Sequence, residues 1–539
     1  MANLTESAML DQLSGTMMEE RQRNLGPILM AATALVVVLL SSMARYLKSV
    51  SKQVNLASFL GKPLRNIPQV TGYPLLGILP QMCREGLYSS AMKSLFDAAK
   101  DSGISSSSAV GIPVVFVRDP AIIRQVLVHN SNSITRLAPD GSGPFNIMQR
   151  ITGTIAASAN GEDWHRWRKG FLKDFSNATA LRQAYDDIRR IAKRHVQAMR
   201  DAKSGSDLGR VMEAYALDTV WSVTIGDDTV SKSSADITDV MSGYGDIVGS
   251  PSHLWRHFLR NFFAFKSFQD PDHVERNVGE QINGVLHKLL NRNLANLDPE
   301  TLYCDGRKNN FLRNTSKESG GTSDLPVTQD VLAQARQVFS LGHEAPTLLL
   351  VWAIYELSLH PDVITKLRQE ILQYMPDNGD LDFETLRSMP YLDAVTSELL
   401  RMHPPISTTS RIVTEPIPVQ TRTNDAAVIP AGAHLFASIH LLHHDKLVWG
   451  DNADEFVPER WEGLRASAAE SRCEYMPFLA GPRGCPSSNF VMVQMKTMLV
   501  ELLTQVDIEL PNSTGLEKCI GGVVKPSRPV EYSLKEICV

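Results

Sequence analysis

The feature that most constrains this chain is one cysteine held in a short turn. Residues 478–490, FLAGPRGCPSSNF, place Cys485 among glycines and prolines and lead into an apolar segment with helical periodicity. Backbone N–H groups of such a turn, and the start of the following helix, stabilise a negative charge on sulfur. Because no other cysteine or histidine lies within several residues, a paired-cysteine zinc site is not available here. The segment predicts a lone thiolate that ligates a metal cofactor such as haem, with an inert buried cysteine as the alternative.

The composition allows a large core and excludes some kinds of partner. The chain has 539 residues, of which 43% are hydrophobic, and a formal net charge of −5 at pH 7. With this charge and no long basic run, we expect no binding of nucleic acid. The six cysteines are scattered and too few for a disulfide framework, which indicates a reducing compartment.

Hydrophobic periodicity predicts a mainly α-helical domain with small β-sheets. Helices are predicted at Leu181–Ala202 and Val331–His360. The serine run Ser105–Ser108 is predicted from its composition to be an exposed loop. Three short pieces are predicted strands: Val114–Val117, Pro418–Thr421 and Ala427–Ile429.

An uncharged apolar segment, residues 25–43, precedes the helical region. As a transmembrane helix its 19 residues would be about 28 Å long, enough to cross the apolar part of a membrane. A cleaved signal peptide is the alternative. The basic residues that follow favour a cytosolic C-terminal side, which would place residues 1–24 in the lumen and make Asn3 a glycosylation acceptor. Residues 44–80 are predicted to form a linker and proline-rich hinge before the domain at residues 81–539.

A long apolar helix is interrupted at LGHEAPT, residues 341–347. Glycine and proline cost about 1 and 3 kcal/mol in a helix interior, so a functional reason is expected for both. Pro346 has no N–H, and the carbonyl of Gly342, four residues earlier, therefore loses its helical partner and can face a water or a ligand. The segment predicts a kinked helix with a groove that holds water.

Two further motifs place charges at helical spacing. Trp164 and Arg168 share one helix face and offer an indole N–H and a guanidinium to a carboxylate. Glu398 and Arg401 also share a face, and Arg460 occurs about sixty residues later in the sequence PERW. Taken alone, such pairs are typical of solvated surface contacts of little energetic value.

In this order, the motifs resemble those of the cytochrome P450 superfamily over about residues 70–539. The cysteine-ligand loop of that family, F-x-x-G-x-R-x-C-x-G, is matched by Phe478, Gly481, Arg483 and Cys485. The last glycine of the pattern is Ser487 here. The resemblance implies the cytochrome P450 fold, with residues 81–539 as a haem-thiolate catalytic domain and a haem b whose iron is axially ligated by Cys485.

The resemblance also implies roles for charged residues around the haem. Besides Phe478 in the ligand loop, the implied contacts to the haem propionates are Trp164, Arg168, Arg411, Arg483 and His403. Glu398, Arg401 and Arg460 would form a buried charged triad that holds the cysteine loop in place. Removing one member of such a network leaves a buried charge unpaired, so its loss would disrupt the fold.

On the oxygen side of the haem, this chain departs from the family pattern A/G-G-x-D/E-T-T/S. Gly342 and Glu344 fit the pattern, but Ala345 and Pro346 replace the two hydroxyl residues. The first threonine helps to deliver protons during oxygen activation in the family, and Thr347 lies about 200° around the helix from position 345. We therefore hypothesise that Glu344, with water at the Gly342 carbonyl, passes protons, the alternative being a purely structural Glu344.

The implied function is that of a monooxygenase that inserts one atom of O2 into a lipophilic small molecule. Electrons would come from NADPH through NADPH-cytochrome P450 reductase, with cytochrome b5 as a second candidate partner and with Lys169 and Lys496 as contacts. The anchor suits a eukaryotic microsomal member, single-pass in the endoplasmic reticulum membrane with a cytosolic catalytic domain. The altered helix and long N-terminus suit fungal secondary-metabolite biosynthesis.

Two other functions remain open on the sequence. The first is a reductase-independent isomerase or dehydratase on the same scaffold, which the missing threonine makes credible. The second is a non-catalytic haem-binding protein. The three histidines between His440 and His444 are expected at the surface rather than in a metal site.

Overall fold

The computed structural model describes most of the chain. The described residues are 41, 63–73, 76–85, 90–109, 111–136, 147–226, 228–233, 271–295, 329–377, 379–464, 466–520 and 523–537. The predicted lumenal segment, the transmembrane helix and the Asn3 glycosylation site lie outside these ranges, apart from the single position 41. Nearly all of the described residues belong to the helical domain.

Helices dominate the described residues, and their chain order fixes the architecture. In that order they are α1 (Leu79–Glu85), α2 (Ser90–Ala98), α3 (Pro120–Arg124), α4 (Ile147–Thr152), α5 (Gly161–Phe175), α6 (Ala178–Ala202), α7 (Leu208–Ile225), α8 (Pro271–Ala295), α9 (Gln329–Leu341), α10 (Glu344–Leu359), α11 (Pro361–Tyr374), α12 (Phe383–Ser388), α13 (Pro390–Met402), α14 (Ile439–His443), α15 (Lys446–Trp449), α16 (Ala466–Ser471) and α17 (Ser488–Gln505). Short 3-10 turns occur at Pro458–Trp461 and Gly481–Arg483.

The strands form small sheets at the edges of the helical core. They are β1 (Ile104–Ala109), β2 (Ile112–Val117), β3 (Ile134–Thr135), β4 (Ser204–Gly205), β5 (Thr408–Val413), β6 (Ile417–Gln420), β7 (Ala426–Ile429), β8 (His434–Ser438), β9 (Val506–Glu509), β10 (Lys518–Ile520), β11 (Val524–Pro526) and β12 (Tyr532–Glu536). The largest sheet has the order β1-β2-β8-β5-β3, and smaller sheets pair β6 with β7, β10 with β11, and β4-β12-β9. The predicted fold class, mainly α with small β-sheets, is confirmed for the described residues.

The serine run was predicted as an exposed loop, and that prediction is wrong. Residues 105–108 lie in β1, which pairs antiparallel with β2. Their hydroxyls are satisfied by carbonyls from elsewhere in the chain, since Ser105 donates to Leu95 O at 2.6 Å and Ser107 to Val70 O at 2.8 Å. Hydrogen bonding of this kind lets polar side chains enter a strand of the core.

The segment predicted as a hinge packs against the same strand. Val70 N donates to Ser106 O at 2.8 Å, Ile78 N donates to Ser108 O at 2.8 Å, and Ile67 is buried. The packed domain thus begins before residue 81, within the segment assigned to the linker.

The central feature of the core is the pair of helices α9 and α10, which are separated at Gly342 and His343. The predicted interruption is therefore present. Helix α10 packs against α7, α13 and α17, and most of its side chains are buried. Within the described residues, Asp330–Leu359 is long and apolar enough to cross a membrane, but 67% of its apolar window is buried inside the protein, as in a core helix.

Candidate active site

The cysteine loop is a compact turn that holds the sulfur at the edge of a cavity. Cys485 N donates to Phe478 O at 2.8 Å, and Gly484 N donates to Gly481 O at 2.9 Å. Gly481 has φ +71°, and a Cβ there would lie 2.2 Å from the carbonyl oxygen of Leu127, so only glycine fits. The turn is therefore fixed by its own backbone and by the neighbouring segment. The sulfur is half-buried.

The interruption between α9 and α10 borders the same cavity. Gly342, Ala345 and Pro346 all line it. A Cβ on Gly342 would lie 2.4 Å from the carbonyl oxygen of Val338 and 3.2 Å from Val220 Cγ2 on α7. A side chain at this position would disturb the packing of α7 against the kinked helix.

The cavity between these two segments has a volume of about 1380 Å³, including its opening to solvent. Most of the side chains around it are apolar, which suits a flat hydrophobic guest. Its apolar lining includes Phe171, Phe175, Val220, Val338, Leu341, Leu349, Leu400, Ile406, Phe478 and Phe490.

One edge of the cavity is strongly cationic. Arg136, Arg168 and Arg483 line it together with Trp164. Arg168 donates to Gly484 O at 2.7 Å, and the Arg483 guanidinium lies 4.1 Å from the centre of the Trp164 ring. Burial, with the charges of Arg136 and Arg168, lowers the pKa of Arg483 to about 10. Helix α5 and the cysteine loop thus bring three of the predicted propionate contacts, Trp164, Arg168 and Arg483, to one place.

Arg411 does not line the cavity itself, but it lies close enough to Arg136 and Arg483 to feel their charges. It is only 2% exposed, and two of its buried donors, Nε and Nη2, have no hydrogen-bond partner among the described residues. Nη1 donates to Thr409 Oγ1 and to Ser410 O, each at 2.7 Å. Burial, with the charges of Arg136 and Arg483, lowers the pKa of Arg411 to about 9. A buried cation with two unused donors requires an anionic partner.

These observations fit a haem. Propionates at the cationic edge would satisfy the free donors of Arg411, and the porphyrin would lie in the apolar space between the Cys485 loop and the Gly342 break. The sequence did not predict Arg136 as a cavity residue, because a lone arginine just after a two-residue strand carries no periodic or motif signal.

Glu344 and Thr347 do not line the cavity themselves. Burial raises the pKa of the Glu344 carboxyl, and the charge of Lys525 opposes that shift. The Thr347 hydroxyl donates to the carbonyl of His343 at 2.8 Å, within its own helix. Thr347 therefore turns its hydroxyl toward the helix backbone, in agreement with its angular position.

Glu398, Arg401 and Arg460 are brought together in the interior, as a group that we call the buried brace. Arg401 donates to both carboxylate oxygens of Glu398, from Nε and Nη2, at 2.8 Å each. Arg460 Nε lies 3.4 Å from Glu398 Oε1, and Trp461 Nε1 donates to Glu398 Oε2 at 2.9 Å. Glu398 and Arg401 are both fully buried.

His443 connects the buried brace to Met476, whose carbonyl accepts from Leu479 N of the cysteine loop at 3.0 Å. Its Nδ1 donates to the carbonyl of Arg401 at 3.2 Å, and its Nε2 accepts from the N–H of Met476 at 2.8 Å. A carbonyl can only accept, so the proton is on Nδ1. His440 and His443 are buried, and their expected surface position is wrong. Their helix α14 packs against α13 and the five-stranded sheet through β5, which the local sequence does not reveal.

Three further candidates, one predicted propionate contact and two predicted reductase contacts, do not line the cavity. His403 is fully buried, its Nε2 is 2.6 Å from Glu356 Oε1, and its ring stacks on Trp352, so it is not among the cavity residues. Of the two lysines expected to contact a reductase, Lys169 is exposed. Lys496 is buried and forms an ion pair with Asp393, which removes it from the accessible surface.

A mainly helical domain in which a cysteine turn, a broken core helix and a group of arginines line one apolar cavity has the form of a haem-thiolate protein. The family model for cytochrome P450 matches residues 67–534. The chain therefore belongs to the cytochrome P450 family.

Individual relatives are distant. The chain is 30% identical over 241 residues to cytochrome P450 72A397 of Kalopanax septemlobus, a match that spans 44% of this chain and only 45% of that protein. It is 25% identical over 443 residues to cytochrome P450 3A40 of Oryzias latipes, spanning 78% of this chain and 83% of that protein. It is also 25% identical over 430 residues to secologanin synthase 2 of Catharanthus roseus, spanning 77% of each.

Proposed function

We propose that this protein is a membrane-anchored haem-thiolate monooxygenase that inserts one atom of O2 into a lipophilic small molecule. The reaction would be a hydroxylation, an epoxidation or a multi-step oxidation. The observation that carries the proposal is one apolar cavity that is lined by Cys485, by the Gly342 break and by a group of arginines. Bound haem supplies the oxygen chemistry, and a cysteine ligand favours O–O cleavage.

We assign different roles to different residues around the cavity. Arg168, Arg411 and Arg483 would bind and orient the haem propionates through charge-assisted hydrogen bonds. The Gly342 carbonyl, which Pro346 cannot satisfy, holds a water beside the cavity. Glu344, a half-buried carboxyl whose pKa is raised, exchanges protons with that water. The apolar lining excludes bulk water and accepts a lipophilic substrate.

The proposed partner and location are supported by the family and by the N-terminal sequence. Cytochrome P450 proteins generally take electrons from a redox partner, and we propose NADPH-cytochrome P450 reductase, with cytochrome b5 as a second donor. Of the two candidate lysines, Lys169 is exposed on α5, next to Arg168, which contacts the cysteine loop, and it is available for this contact. The apolar segment at residues 25–43 supports an anchor in the endoplasmic reticulum membrane with a cytosolic domain.

The substrate class is proposed from the lining. Apolar side chains from α9 and α10, together with Ile406, suit a terpenoid, a polyketide or an alkaloid equally. Such substrates, with the altered α10, favour a place in fungal secondary-metabolite biosynthesis.

One observation favours a second function. Ala345 and Pro346 carry no hydroxyl, and the Thr347 hydroxyl is bound to the backbone, so this stretch offers no hydroxyl to the cavity. An isomerase or dehydratase that rearranges an already oxidised substrate needs no such proton donor and no reductase.

The test begins with a ferrous-CO difference spectrum of the full-length, haem-loaded protein. Candidate lipophilic substrates are then assayed with and without NADPH and the reductase. Turnover that needs both supports the monooxygenase, and turnover without them supports the isomerase or dehydratase. A haem that binds tightly but shows neither turnover nor a substrate-induced spin shift would leave only the non-catalytic haem-binding protein.

A further inference from the structure

The residue that replaces the last glycine of the family loop contacts the cysteine. Ser487 Oγ lies 3.4 Å from Cys485 Sγ, within the range of a hydrogen bond to sulfur, and both residues line the cavity. A glycine at this position would have no side chain to offer. This contact therefore arises because serine replaces the family glycine at position 487.

The Ser487 hydroxyl is available for this contact. Ser487 precedes α17 at the N-cap position, where serine commonly accepts a hydrogen bond from the helix backbone, but here its side chain makes no capping bond. Pro486, between the two residues, has no N–H and cannot supply a backbone donor to the sulfur. The Ser487 hydroxyl can thus donate to the sulfur where residue 486 has no backbone N–H to donate.

The chemistry of the two groups decides the direction of the bond. A metal-bound thiolate carries no proton and can only accept, so the serine O–H is the donor. A hydrogen bond to a ligand sulfur withdraws electron density from it, and such bonds are among the means by which proteins set the reduction potential of a thiolate-ligated iron.

We propose that Ser487 tunes the axial ligand by donating a hydrogen bond to the Cys485 thiolate, which raises the reduction potential of the iron and weakens the iron–sulfur bond. This inference rests on the proposed function, because it requires Cys485 to be the ligand. Ser487 acts through the cysteine and is a positioning residue.

The test compares three variants of the full-length, haem-loaded protein: Ser487→Ala, Ser487→Gly and Ser487→Thr. The first two remove the hydroxyl, and Ser487→Gly restores the family residue, so at least one variant should fold. We expect both to shift the reduction equilibrium toward the ferric state by about three- to tenfold, where tenfold corresponds to about 59 mV for one electron. The iron–sulfur stretching frequency should rise. Ser487→Thr keeps the hydroxyl and should stay close to wild type.

A second serine in contact with the same loop provides the matched control. Ser176 Oγ donates to the carbonyl of Pro486 at 2.6 Å and is not among the cavity residues. Ser176→Ala removes a hydrogen bond from the loop without removing a donor to sulfur, so the potential should not change. An equal shift in Ser176→Ala, or unchanged potential and stretching frequency in both Ser487→Ala and Ser487→Gly, overturns the inference.

The same samples separate this inference from the proposed function. A wild-type protein without the ferrous-CO band of a thiolate-ligated haem would refute the ligand assignment itself. Variants that keep that band while their potential stays at the wild-type value would refute only the role of Ser487.

Discussion

Glu398 and Arg401 face each other one helical turn apart on α13, fully buried and joined by two hydrogen bonds of 2.8 Å. Removing one partner of such a pair leaves a buried charge unpaired, at a cost of about 3–5 kcal/mol. We expect Arg401→Ala to yield no haem-loaded protein. Urea unfolding and haem content per polypeptide measure the effect.

An exposed ion pair serves as the control for this prediction. Arg182 and Glu384 also pair across the structure, but both side chains are more than half exposed to solvent. Arg182→Ala should therefore change the free energy of unfolding by about 1 kcal/mol or less. Recovery of Arg401→Ala with full haem content would contradict the role of the buried brace.

The hydrogen bonds of His443 to Arg401 and Met476 predict a smaller loss of stability than the one expected for Arg401→Ala. His443→Phe keeps an aromatic ring beside Tyr475, on which His443 stacks, but removes both hydrogen bonds. Leaving the Met476 N–H and the Arg401 carbonyl unsatisfied should cost about 1–3 kcal/mol for each group. The free energy of unfolding and the rate of haem loss report it, and the exposed His129→Gln should change neither. An unaltered haem-loss rate in His443→Phe would show that the link does not support the loop.

Buried neutral histidines predict sensitivity to acid. Burial lowers the pKa of His343 to about 4, below the ordinary value of 6.5. Between these values the unfolded chain binds a proton that the folded chain does not, so stability rises with pH across this window. The contribution of His343 is complete above pH 6.5 and falls by about 1.4 kcal/mol per unit as the pH drops toward 4.

The test is the pH dependence of urea unfolding for wild type and His343→Gln. Between pH 6 and 4.5 the variant should show a slope shallower by about 1.4 kcal/mol per pH unit. The carboxylate of Glu213, 3.7 Å from His343, titrates in both proteins and cancels to first order. Equal slopes would mean that His343 is not held neutral by its surroundings.

The two unused donors of Arg411 predict that this residue helps to retain the haem. Arg411→Met removes the cation whose two free donors face no partner among the described residues. A charge-assisted hydrogen bond contributes about 1.5–3 kcal/mol, so haem should transfer to an acceptor protein about ten- to a hundredfold faster. Arg422→Met is the control, since Arg422 already pairs with Asp119. Equal transfer rates for Arg411→Met and wild type would exclude a propionate contact.

The proposed proton transfer by Glu344 predicts an effect on the coupling of NADPH consumption to turnover rather than on substrate binding. Glu344→Gln keeps the size of the side chain but cannot exchange a proton, so we expect slower turnover, more peroxide per NADPH consumed, and an unchanged substrate-binding constant. Thr347→Val is the control, because the Thr347 hydroxyl is committed to the His343 carbonyl. Unchanged turnover and coupling in Glu344→Gln would end the proton-transfer hypothesis and leave Glu344 a structural role.

Local patterns were enough to predict several parts of the molecule. The broken helix follows from a glycine and a proline within an apolar run, and the strand pieces follow from β-branched residues. The approach of Glu398 to Arg401 follows from their spacing, whereas that of Arg460 required the resemblance to a family.

Other parts depend on contacts that are remote in sequence. Ser105 and Ser107 of β1 can be buried because the carbonyls of Leu95 and Val70 accept their hydrogen bonds, and composition alone suggests the opposite. His403 pairs with Glu356, forty-seven positions earlier, rather than with the cavity. Arg136 reaches the cationic edge only because the fold places the end of β3 there.

The crowding of Arg136, Arg168, Arg411 and Arg483 has a consequence for how the protein is made in a cell. Before the cofactor arrives, the like charges of these residues repel one another in a partly buried environment, which lowers the pKa values of Arg411 and Arg483. Ligand binding stabilises a folded state by mass action. The yield of intact enzyme should therefore follow the supply of haem during synthesis, and starved cells should degrade the newly made polypeptide.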